Sequence, residues 1–514
     1  MIATLIKLLI GLLLWVGLAI VAARIVFALP RVQDRIDSTA LDPADVGPLA
    51  ATLRVRARGQ EGKTGIAMLR DGADAFAARI MLADAATTAI DAQYYIWHDD
   101  LTGYLLLDAL ARAAERGVRV RLLLDDNGTS RLDAELAELD AHPNAEVRLY
   151  NPFNLRRFKL ASYAFDFFRL NRRMHNKSFT VDGRVTILGG RNIGDGYFGT
   201  GPAALYVDLD ALAVGRVVPE VSADFDRYWA APCVHPVGPI LGQARRDGAI
   251  EDGLAHYADD PQLEEYLEIL EGSEIVTRLS AGDLDLEWTG AALISDSPAK
   301  GEGAARREDL LSARLLKAVA RIESRFDGIS PYFVPGRAGA RAFKALRKRG
   351  VSVRMLTNSL EATDVLPVHA GYTSKRGTLL RRGVKLYELR RKSASGTPAD
   401  TLGRFGSSGA SLHAKTFAVD GKRIFVGSFN FDPRSTMLNT EMGLLIESAA
   451  FAGNLHDAFD RELDGLAWRV EMDGLKTVWI DPESGEVTRD EPGTTFARRV
   501  VLRVIGWLPV EWLL

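Results

Sequence analysis

One ten-residue pattern occurs twice in this chain, as MHNKSFTVDG at 174–183 and as LHAKTFAVDG at 412–421. Each copy carries His, Lys and Asp at the same spacing. Because these residue types are seldom repeated together by chance, we interpret the two copies as halves of a duplication.

The repeat extends beyond the motif on both sides. Gly189 and Asn192 follow the first copy at the same offsets at which Gly427 and Asn430 follow the second. Upstream, GVRVRLLLDD resembles GVSVRMLTNS, and EVRLYN resembles GVKLYEL. The chain is therefore predicted to be a tandem duplication of one folding unit.

Each repeat alternates strand and helix patterns. In the first, GIAMLRD is followed by an alanine-rich helix over 73–88, the strand TAIDAQYYIW, a helix ending at Gly117 and the strand VRVRLLLD; the order restarts near Thr289. Alternation of this kind predicts α/β layers. We divide the chain into a membrane anchor at 1–29, a tether at 30–60, a first domain at 61–270, a second domain at 271–470 and a C-terminal interfacial segment at 471–514.

Composition narrows the class of protein. The chain has 514 residues, of which 47% are hydrophobic and 25% charged, as in ordinary globular proteins. Its single cysteine, Cys233, excludes an intramolecular disulfide framework and any multi-cysteine metal site. A net charge of −3 provides no global positive field for a polyanion, so anion binding has to be local.

The N-terminus is apolar from Ile2 to Ala23 except for Lys7. A helix of this length reaches about 33 Å, close to the hydrocarbon thickness of a bilayer, and predicts a single membrane span. A cleaved signal peptide ending at 21–23 is the alternative. Arg24, Arg31 and Arg35 outnumber Lys7, which favours a cytoplasmic catalytic body.

The chemistry is concentrated in the repeated motif. On a β-strand, His175 and Lys177 would share one face, as would His413 and Lys415. A lysine buried beside a histidine is costly unless an anion lies between them, and a phosphate would meet this requirement. For Asp182, and for Asp420 in the second copy, the alternative to a catalytic role is turn formation alone, because each precedes a glycine.

Two such half-sites predict phosphoryl-group transfer in two steps. One neutral histidine attacks phosphorus while the other protonates the leaving oxygen, and the roles then reverse. Asn192 and Asn430 are further candidate donors to the phosphate. A carboxylate should orient each imidazole: we align Asp210 with Glu441, and keep Asp208 as the alternative to Asp210. These acids could also lie at exposed strand ends.

The doubled H-x-K-x4-D motif with its G-(G/S)-x-N extension resembles the phospholipase D superfamily over roughly residues 60–470. The resemblance implies an α/β fold of two tandem α/β/α sandwich domains related by a pseudo-twofold axis. It also implies a phosphohistidine intermediate, with neither metal nor cofactor. The catalytic residues it implies are His175, Lys177, Asp182, His413, Lys415 and Asp420, and the residues that bind or support the phosphate are Asn192, Asn430, Ser428, Asp210 and Glu441.

The flanking sequences GGRNIGDGYFG, GSFNFDPRS and NTEMG resemble bacterial cardiolipin synthases of the C-type subgroup, although those of the better-known type have two N-terminal spans. The resemblance implies transfer of a phosphatidyl group from phosphatidylethanolamine or phosphatidylglycerol to phosphatidylglycerol at the bacterial inner membrane. Whether a helper protein is needed stays open. The alternatives are a phospholipase D that forms phosphatidic acid, a nucleic-acid phosphodiesterase, which the net charge and the anchor disfavour, and a non-catalytic scaffold, which the intact motifs disfavour.

Two segments combine basic and aromatic residues as membrane-surface segments do. The first, at 151–173, precedes the first motif, and the second includes Trp507 and Trp512 near the C-terminus. The segment at 151–173 could alternatively stack on single-stranded nucleic acid or pack as an ordinary helix. For the second, the alternative is a segment docked on the body of the protein.

Overall fold

A computed structural model describes residues 1–32, 35–43, 45, 47–199, 206–242, 248–281, 283–390 and 411–507. Two α/β repeats follow an apolar N-terminal helix, which confirms the predicted fold class. The strands of the first repeat are β1 (Thr64–Leu69), β2 (Ala89–Ile96), β3 (Arg119–Gly128), β4 (Ala145–Tyr150), β5 (Ser178–Val181), β6 (Val185–Gly189), β7 (Tyr206–Val207), β8 (Asp210–Gly215) and β9 (Val234–Pro236).

The second repeat has the same series of strands, with a further hairpin at its end. Its strands are β10 (Glu287–Ser295), β11 (Arg325–Ile329), β12 (Ser352–Asn358), β13 (Lys385–Leu389), β14 (Ser411–Leu412), β15 (Thr416–Val419), β16 (Arg423–Gly427), β17 (Met442–Glu447), β18 (Ala467–Asp473), β19 (Lys476–Ile480) and β20 (Val487–Thr488).

Helices connect the strands and cover the sheet. Those up to the end of the first repeat are α1 (Ile2–Val26), α2 (Pro48–Arg56), α3 (Gly72–Ala85), α4 (Leu101–Glu115), α5 (Asp133–Ala141), α6 (Lys159–Leu170), α7 (Asp195–Phe198), α8 (Val217–Trp229), α9 (Gly238–Leu241), α10 (Ala249–Ala255), α11 (Pro261–Gly272) and α12 (Glu274–Ser280). Those of the second repeat and the C-terminus are α13 (Leu311–Val319), α14 (Gly336–Lys348), α15 (Leu366–Arg381), α16 (Pro433–Met437), α17 (Ala449–Arg461), α18 (Leu463–Leu466) and α19 (Phe496–Trp507).

The two repeats have equivalent sheets. The first runs β9-β4-β3-β2-β5-β6-β8-β1, and the second runs β18-β13-β12-β11-β15-β16-β17-β10, with β2-β3-β4 and β11-β12-β13 parallel and the other pairs antiparallel. Strands β1 and β10 pair antiparallel and join the sheets edge to edge. This arrangement places equivalent parts of the two repeats opposite each other.

Hydrophobic packing extends across the junction between the repeats. One cluster of buried residues includes Ile66 and Leu188 of the first repeat together with Leu412 and Met442 of the second. Because the sheets also share backbone hydrogen bonds, the two repeats are held together by both kinds of interaction.

The structure differs from two of the sequence-based boundaries. Residue 270 lies inside α11, and both α11 and α12 contact α3, so we propose that the first domain continues to Ser280. The proposed tether is also partly structured: α2 buries Leu49 and Leu53 against the first repeat. Proline at the start of a helix is tolerated, which explains why Pro48 begins α2 rather than preventing it.

Helix α1 is long and apolar enough to cross a membrane and is exposed along its length. Its C-terminal end contacts α6, where Arg24 Nε donates a hydrogen bond to the Phe165 carbonyl at 2.7 Å. The rings of Phe27 and Phe165 lie 5.8 Å apart. The predicted span is therefore fixed to the basic aromatic segment that precedes the first motif.

Candidate active site

The two motif histidines lie in extended segments immediately before β5 and β15. Each strand then turns through the predicted Asp-Gly hairpin, where Asp182 and Asp420 have φ of 53° and 54°. Aspartate tolerates this left-handed conformation and glycine adopts it freely, so the local sequence explains the hairpin.

Backbone hydrogen bonds hold each motif against the opposite repeat. The His175 N–H donates to the Thr440 carbonyl at 2.9 Å, and the His413 N–H donates to the Val207 carbonyl at 2.8 Å. Strands β7 and β14 pair in parallel at the second of these positions. Because Glu441 follows Thr440 and Asp208 follows Val207, these hydrogen bonds place each histidine beside a carboxylate.

These carboxylates belong to the other half of the molecule. His175 Nδ1 lies 2.8 Å from Glu441 Oε2, and His413 Nδ1 lies 2.5 Å from Asp208 Oδ2. All four residues are at most 6% exposed. A carboxylate on Nδ1 fixes the proton there and leaves Nε2 as the reactive nitrogen. The crossed pairs therefore make one site from both repeats.

The structure corrects the alignment of Asp210 with Glu441. In the sheet, Asp210 faces Gly189 and Gly443 faces Gly427, so Asp208 is the residue equivalent to Glu441. Asp210 instead pairs with buried Arg79, at 2.8 Å. The sequence alignment was wrong by two residues. Strand alternation alone cannot detect such an error, because a shift of two residues keeps each side chain on the same face of the sheet.

The two motif lysines lie within the same buried space. Lys177 Nζ donates to the His175 carbonyl at 2.8 Å. Lys415 Nζ lies 2.8 Å from His413 Nδ1 and 4.0 Å from Asp208 Oδ2. Burial lowers the pKa of both ammonium groups, although Glu441 opposes the shift at Lys177 and Asp208 opposes it at Lys415. The charge of Lys415 lowers the Lys177 pKa further. An anion entering between them would relieve both penalties.

The two histidines have different carboxylate partners. Burial raises the pKa of Glu441 to about 7, although Lys177 and Ser428 act in the opposite direction. Burial also acts to raise the pKa of Asp208, but Lys415 and His413 outweigh it and hold that pKa well below its usual value. His413 therefore faces a fully ionised carboxylate at neutral pH, whereas Glu441 titrates near neutrality.

The pKa of His175 is lowered well below its ordinary value, by burial first and then by Lys177 and Lys415. The pKa of His413 is also lowered by burial and by Lys415, but Asp208 opposes the shift through its charge and its hydrogen bond. Both imidazoles are mainly neutral before an anion binds, and His413 is the one better able to hold a proton.

The glycine–serine difference between the two extensions has a structural reason. A Cβ at Gly190 would lie 2.1 Å from Asp208 Oδ1, so glycine makes room for that carboxylate. At the equivalent position Ser428 Oγ donates to Glu441 Oε2 at 2.5 Å. Ser428 thus supports the carboxylate that orients His175.

The structure places the two asparagines in different surroundings. Asn192 accepts from the Ile96 N–H at 3.2 Å and donates to the Tyr197 hydroxyl at 2.9 Å, so its amide already has partners. Asn430 is buried, and its side-chain oxygen has no hydrogen-bond partner among the described residues. An amide oxygen cannot donate to a phosphate, so only the amide nitrogen of Asn430 could contact one, whereas Asn192 supports Tyr197.

Asp182 and Asp420 lie at the turns of their hairpins, away from the histidines, and each accepts hydrogen bonds from the segment before a neighbouring strand. Asp182 accepts the backbone N–H groups of Thr87, Thr88 and Ala89 at 3.0, 2.8 and 3.0 Å. Asp420 accepts the equivalent groups of residues 323–325 at 2.8–3.0 Å. Neither carboxylate joins the histidines and lysines, because the turn directs them to the segment before β2 or β11.

Aromatic side chains complete the site, and the sequence reasoning missed them. The Tyr95 ring lies 5.0 Å from the His175 ring, and the rings of Tyr197 and Tyr206 lie 5.2 and 5.4 Å from the His413 ring. Tyr197 is within the GDGYFG sequence, but no motif spacing distinguishes the other two. Their proximity arises from tertiary packing.

Known proteins match most of this chain. A family described as “Cardiolipin synthase, PLD-like domain” matches residues 80–229 and 315–463, together more than half of the chain. Cardiolipin synthase C of Escherichia coli strain K12 is 49% identical over 459 residues, which cover 88% of this chain and 97% of that protein. A cardiolipin synthase of Staphylococcus aureus strain Mu50 is 25% identical, over 81% of this chain and 70% of its own length.

A solved structure shares the fold. The crystal structure of phosphatidylserine synthase from Haemophilus influenzae Rd KW20 superimposes with a TM-score of 0.56 and 15% sequence identity. The match covers 90% of this chain and the whole of that chain. At this identity the likeness concerns the fold alone.

Proposed function

Because the chain belongs to the cardiolipin synthase family of phospholipase D-like proteins, we propose that it transfers a phosphatidyl group from phosphatidylethanolamine or phosphatidylglycerol to phosphatidylglycerol. The observation that carries the proposal is the pair of crossed His–carboxylate contacts with both motif lysines in one buried space. Such a space suits a phosphodiester, whose charge offsets the cost of burying two ammonium groups.

In the first step His175 Nε2 attacks phosphorus. Its lowered pKa keeps it neutral, and Glu441 holds its other nitrogen protonated. The bond from phosphorus to the headgroup oxygen breaks, and that oxygen takes the proton of His413, whose cationic form Asp208 stabilises. Phosphate binding offsets the lysine charges and thereby favours a protonated His413 at this stage.

In the second step the roles reverse. His413, now neutral, removes the proton from a glycerol hydroxyl of phosphatidylglycerol, and the alkoxide attacks the phosphohistidine. The phosphorus–nitrogen bond breaks and returns a neutral His175. Lys177 and Lys415 stabilise the charge on the non-bridging oxygens throughout, and their fixed positions avoid a reorganisation cost at the moment of reaction.

The membrane-facing elements support a lipid substrate. Lys159 Nζ donates to the Asp126 carbonyl at 2.7 Å, which places α6 beside the carboxyl end of β3. The neighbouring residue, Asp125, accepts the Met174 N–H at 2.8 Å, one residue before His175. The helix attached to the predicted span therefore lies at the edge of the active site.

The exposed side chains of this segment are suited to an interface. Leu160 and Phe168 are 86% and 73% exposed, and they lie among basic residues. Against the second repeat, α19 packs Leu502 with Leu360 and leaves Trp507 exposed. Trp512 lies outside the described residues. We infer that α1 spans the inner membrane with the body on its cytoplasmic side and with the active-site edge towards the lipid.

The function is tested with full-length protein in vesicles that contain differently labelled phosphatidylglycerol and phosphatidylethanolamine. The proposal predicts cardiolipin as the main product, and its loss in both His175→Ala and His413→Ala. Phosphatidic acid as the main product would instead identify a phospholipase D that uses water as acceptor. Oligonucleotide cleavage at rates comparable with lipid turnover would contradict the lipid assignment.

A further inference from the structure

The surroundings of His413 differ from those of His175, although the two halves share one fold. The stacked rings of Tyr197 and Tyr206, 4.8 Å apart, both face the His413 ring. Next to them Tyr332 donates its hydroxyl to Asp364 Oδ2 at 2.8 Å. His413 is thus bordered by two tyrosines, and a third tyrosine forms a hydrogen-bonded pair with a carboxylate in the same half of the site.

The electrostatic contacts agree with this geometry. Burial raises the pKa of Tyr206, and the negative charge of Asp364 raises it further. Asp364 also raises the pKa of Tyr332 after burial and counteracts the lowering of the Lys415 pKa. The carboxylate is on the exposed loop before α15, and its charge acts on both Tyr206 and Lys415.

The equivalent position in the first half has the opposite charge. Asp125 in β3 and Asn358 in β12 occupy equivalent positions of the two repeats. Helix α5 begins as many residues after Asp125 as α15 begins after Asn358. Arg131, in the loop before α5, therefore corresponds to Asp364, in the loop before α15. Near His175 the ring of Tyr95 has Lys177 Nζ at 5.4 Å from its centroid. Burial and the charge of Asp125 raise the Tyr95 pKa, and Arg434 and Arg173 oppose them. The two sides of the site therefore differ in the cations near the ring and in the charge at this loop position.

From this asymmetry we propose that Asp364, Tyr332 and Tyr206 form a subsite for a primary ammonium group on the headgroup that leaves from the donor lipid. Aromatic faces and a carboxylate together attract an organic cation. The inference rests on the proposed function, because His413 protonates the leaving oxygen there and the headgroup must consequently lie on the His413 side.

An ethanolamine headgroup carries its ammonium group close to the leaving oxygen. Its nitrogen lies two carbons from the oxygen that receives the His413 proton, a span of roughly 4 Å from ordinary bond lengths. The balanced step forms the bond from phosphorus to His175 Nε2, breaks the bond to the ethanolamine oxygen and moves one proton from His413 to that oxygen. A glycerol headgroup offers hydroxyls but no cation to the same residues, so the subsite favours the ammonium donor.

The test compares two leaving groups in one reaction. Full-length protein is incubated with vesicles of phosphatidylethanolamine and phosphatidylglycerol, and released ethanolamine and glycerol are measured per cardiolipin formed. For Asp364→Asn we expect ethanolamine release to fall about tenfold relative to glycerol release, since a charge-assisted contact is lost. Tyr332→Phe keeps the ring and should lower the ratio by a smaller factor.

Arg131→Gln is the matched control, because it removes a charge at the equivalent loop position of the other half, and its release ratio should equal that of the wild type. An unchanged ratio in Asp364→Asn, or an equal loss of both products, would overturn the subsite. If the wild type made no cardiolipin from these lipids, the proposed function itself would fail, which is a different result from an unchanged ratio.

Discussion

At the scale of single residues, the carboxylate on each histidine determines which nitrogen reacts. Asp208→Asn should lower kcat by roughly 100-fold to 10,000-fold, because an amide neither fixes the tautomer reliably nor stabilises the imidazolium. Steady-state cardiolipin synthesis in vesicles measures the effect. Asp208→Glu should restore part of the rate, and near wild-type activity in Asp208→Asn would contradict the role given to this contact.

The raised pKa of Glu441 predicts a pH dependence. The carboxyl retains its proton up to a pH of about 7, and only the ionised form offers a negative charge to the His175 ring as that ring becomes positive during the attack. The rate of the first step should therefore fall as the pH is lowered through about 7. Glu441→Gln should be slower and should lose this acidic limb, as measured by single-turnover headgroup release. An unchanged acidic limb in that variant would assign the titration to another group.

The parts of the site that depend on residues close together in the sequence were predictable. The repeated His-Lys pattern predicted two half-sites, and the Asp-Gly turns predicted two hairpins. Which carboxylate meets which histidine was not predictable, because the bridges from His175 to Thr440 and from His413 to Val207 cross between residues distant in sequence. The tyrosines were missed for the same reason.

At the scale of elements, the motif aspartates hold each hairpin to the strand before it. Asp182→Ala removes one carboxylate that accepts three backbone N–H groups and the hydroxyls of Thr87 and Thr88. We expect a loss of about 2–4 kcal/mol in the free energy of unfolding, from the usual cost of unpaired buried donors. Chemical denaturation measures it. A normal stability with abolished turnover would show that Asp182 acts in the chemistry instead.

Helix α6 provides a test of the membrane-facing edge. Replacing exposed Leu160 and Phe168 with Ser removes apolar surface without disturbing buried side chains. Activity on vesicles should fall several-fold, because each large apolar side chain contributes about 1.5–3 kcal/mol when buried. Activity on a short-chain, water-soluble phospholipid should be unchanged. Equal effects on both substrates would show that the helix serves the fold rather than the interface. Exposed Leu475, on the turn between β18 and β19, offers a control substitution to Ser.

The elements themselves were largely predictable, since strand and helix periodicities follow from which faces are buried. The helix ending near Gly117 is confirmed, with α4 ending at Glu115 and Gly117 at φ of 91°. Helix α2 was not predicted, because the burial of Leu49 depends on the distant first repeat.

At the scale of the whole molecule, duplication explains how one site arises from two similar halves. The β1–β10 junction joins the sheets, and each histidine takes its carboxylate from the opposite half. The duplication was evident in the sequence, whereas this exchange of partners depends on how the halves pack. Later divergence is visible at Arg131 and Asp364, where equivalent positions carry opposite charges.

The central claim is that His175 carries the phosphatidyl group while His413 handles the proton. It is tested most directly with His413→Ala and a phosphatidyl ester of p-nitrophenol, a leaving group that needs no protonation. The account predicts a burst of one nitrophenol per protein and a phosphatidyl group retained on His175, because no base remains to activate the acceptor. His175→Ala should show no burst. A stable adduct on His413 in His175→Ala, with none on His175 in His413→Ala, would contradict the assignment.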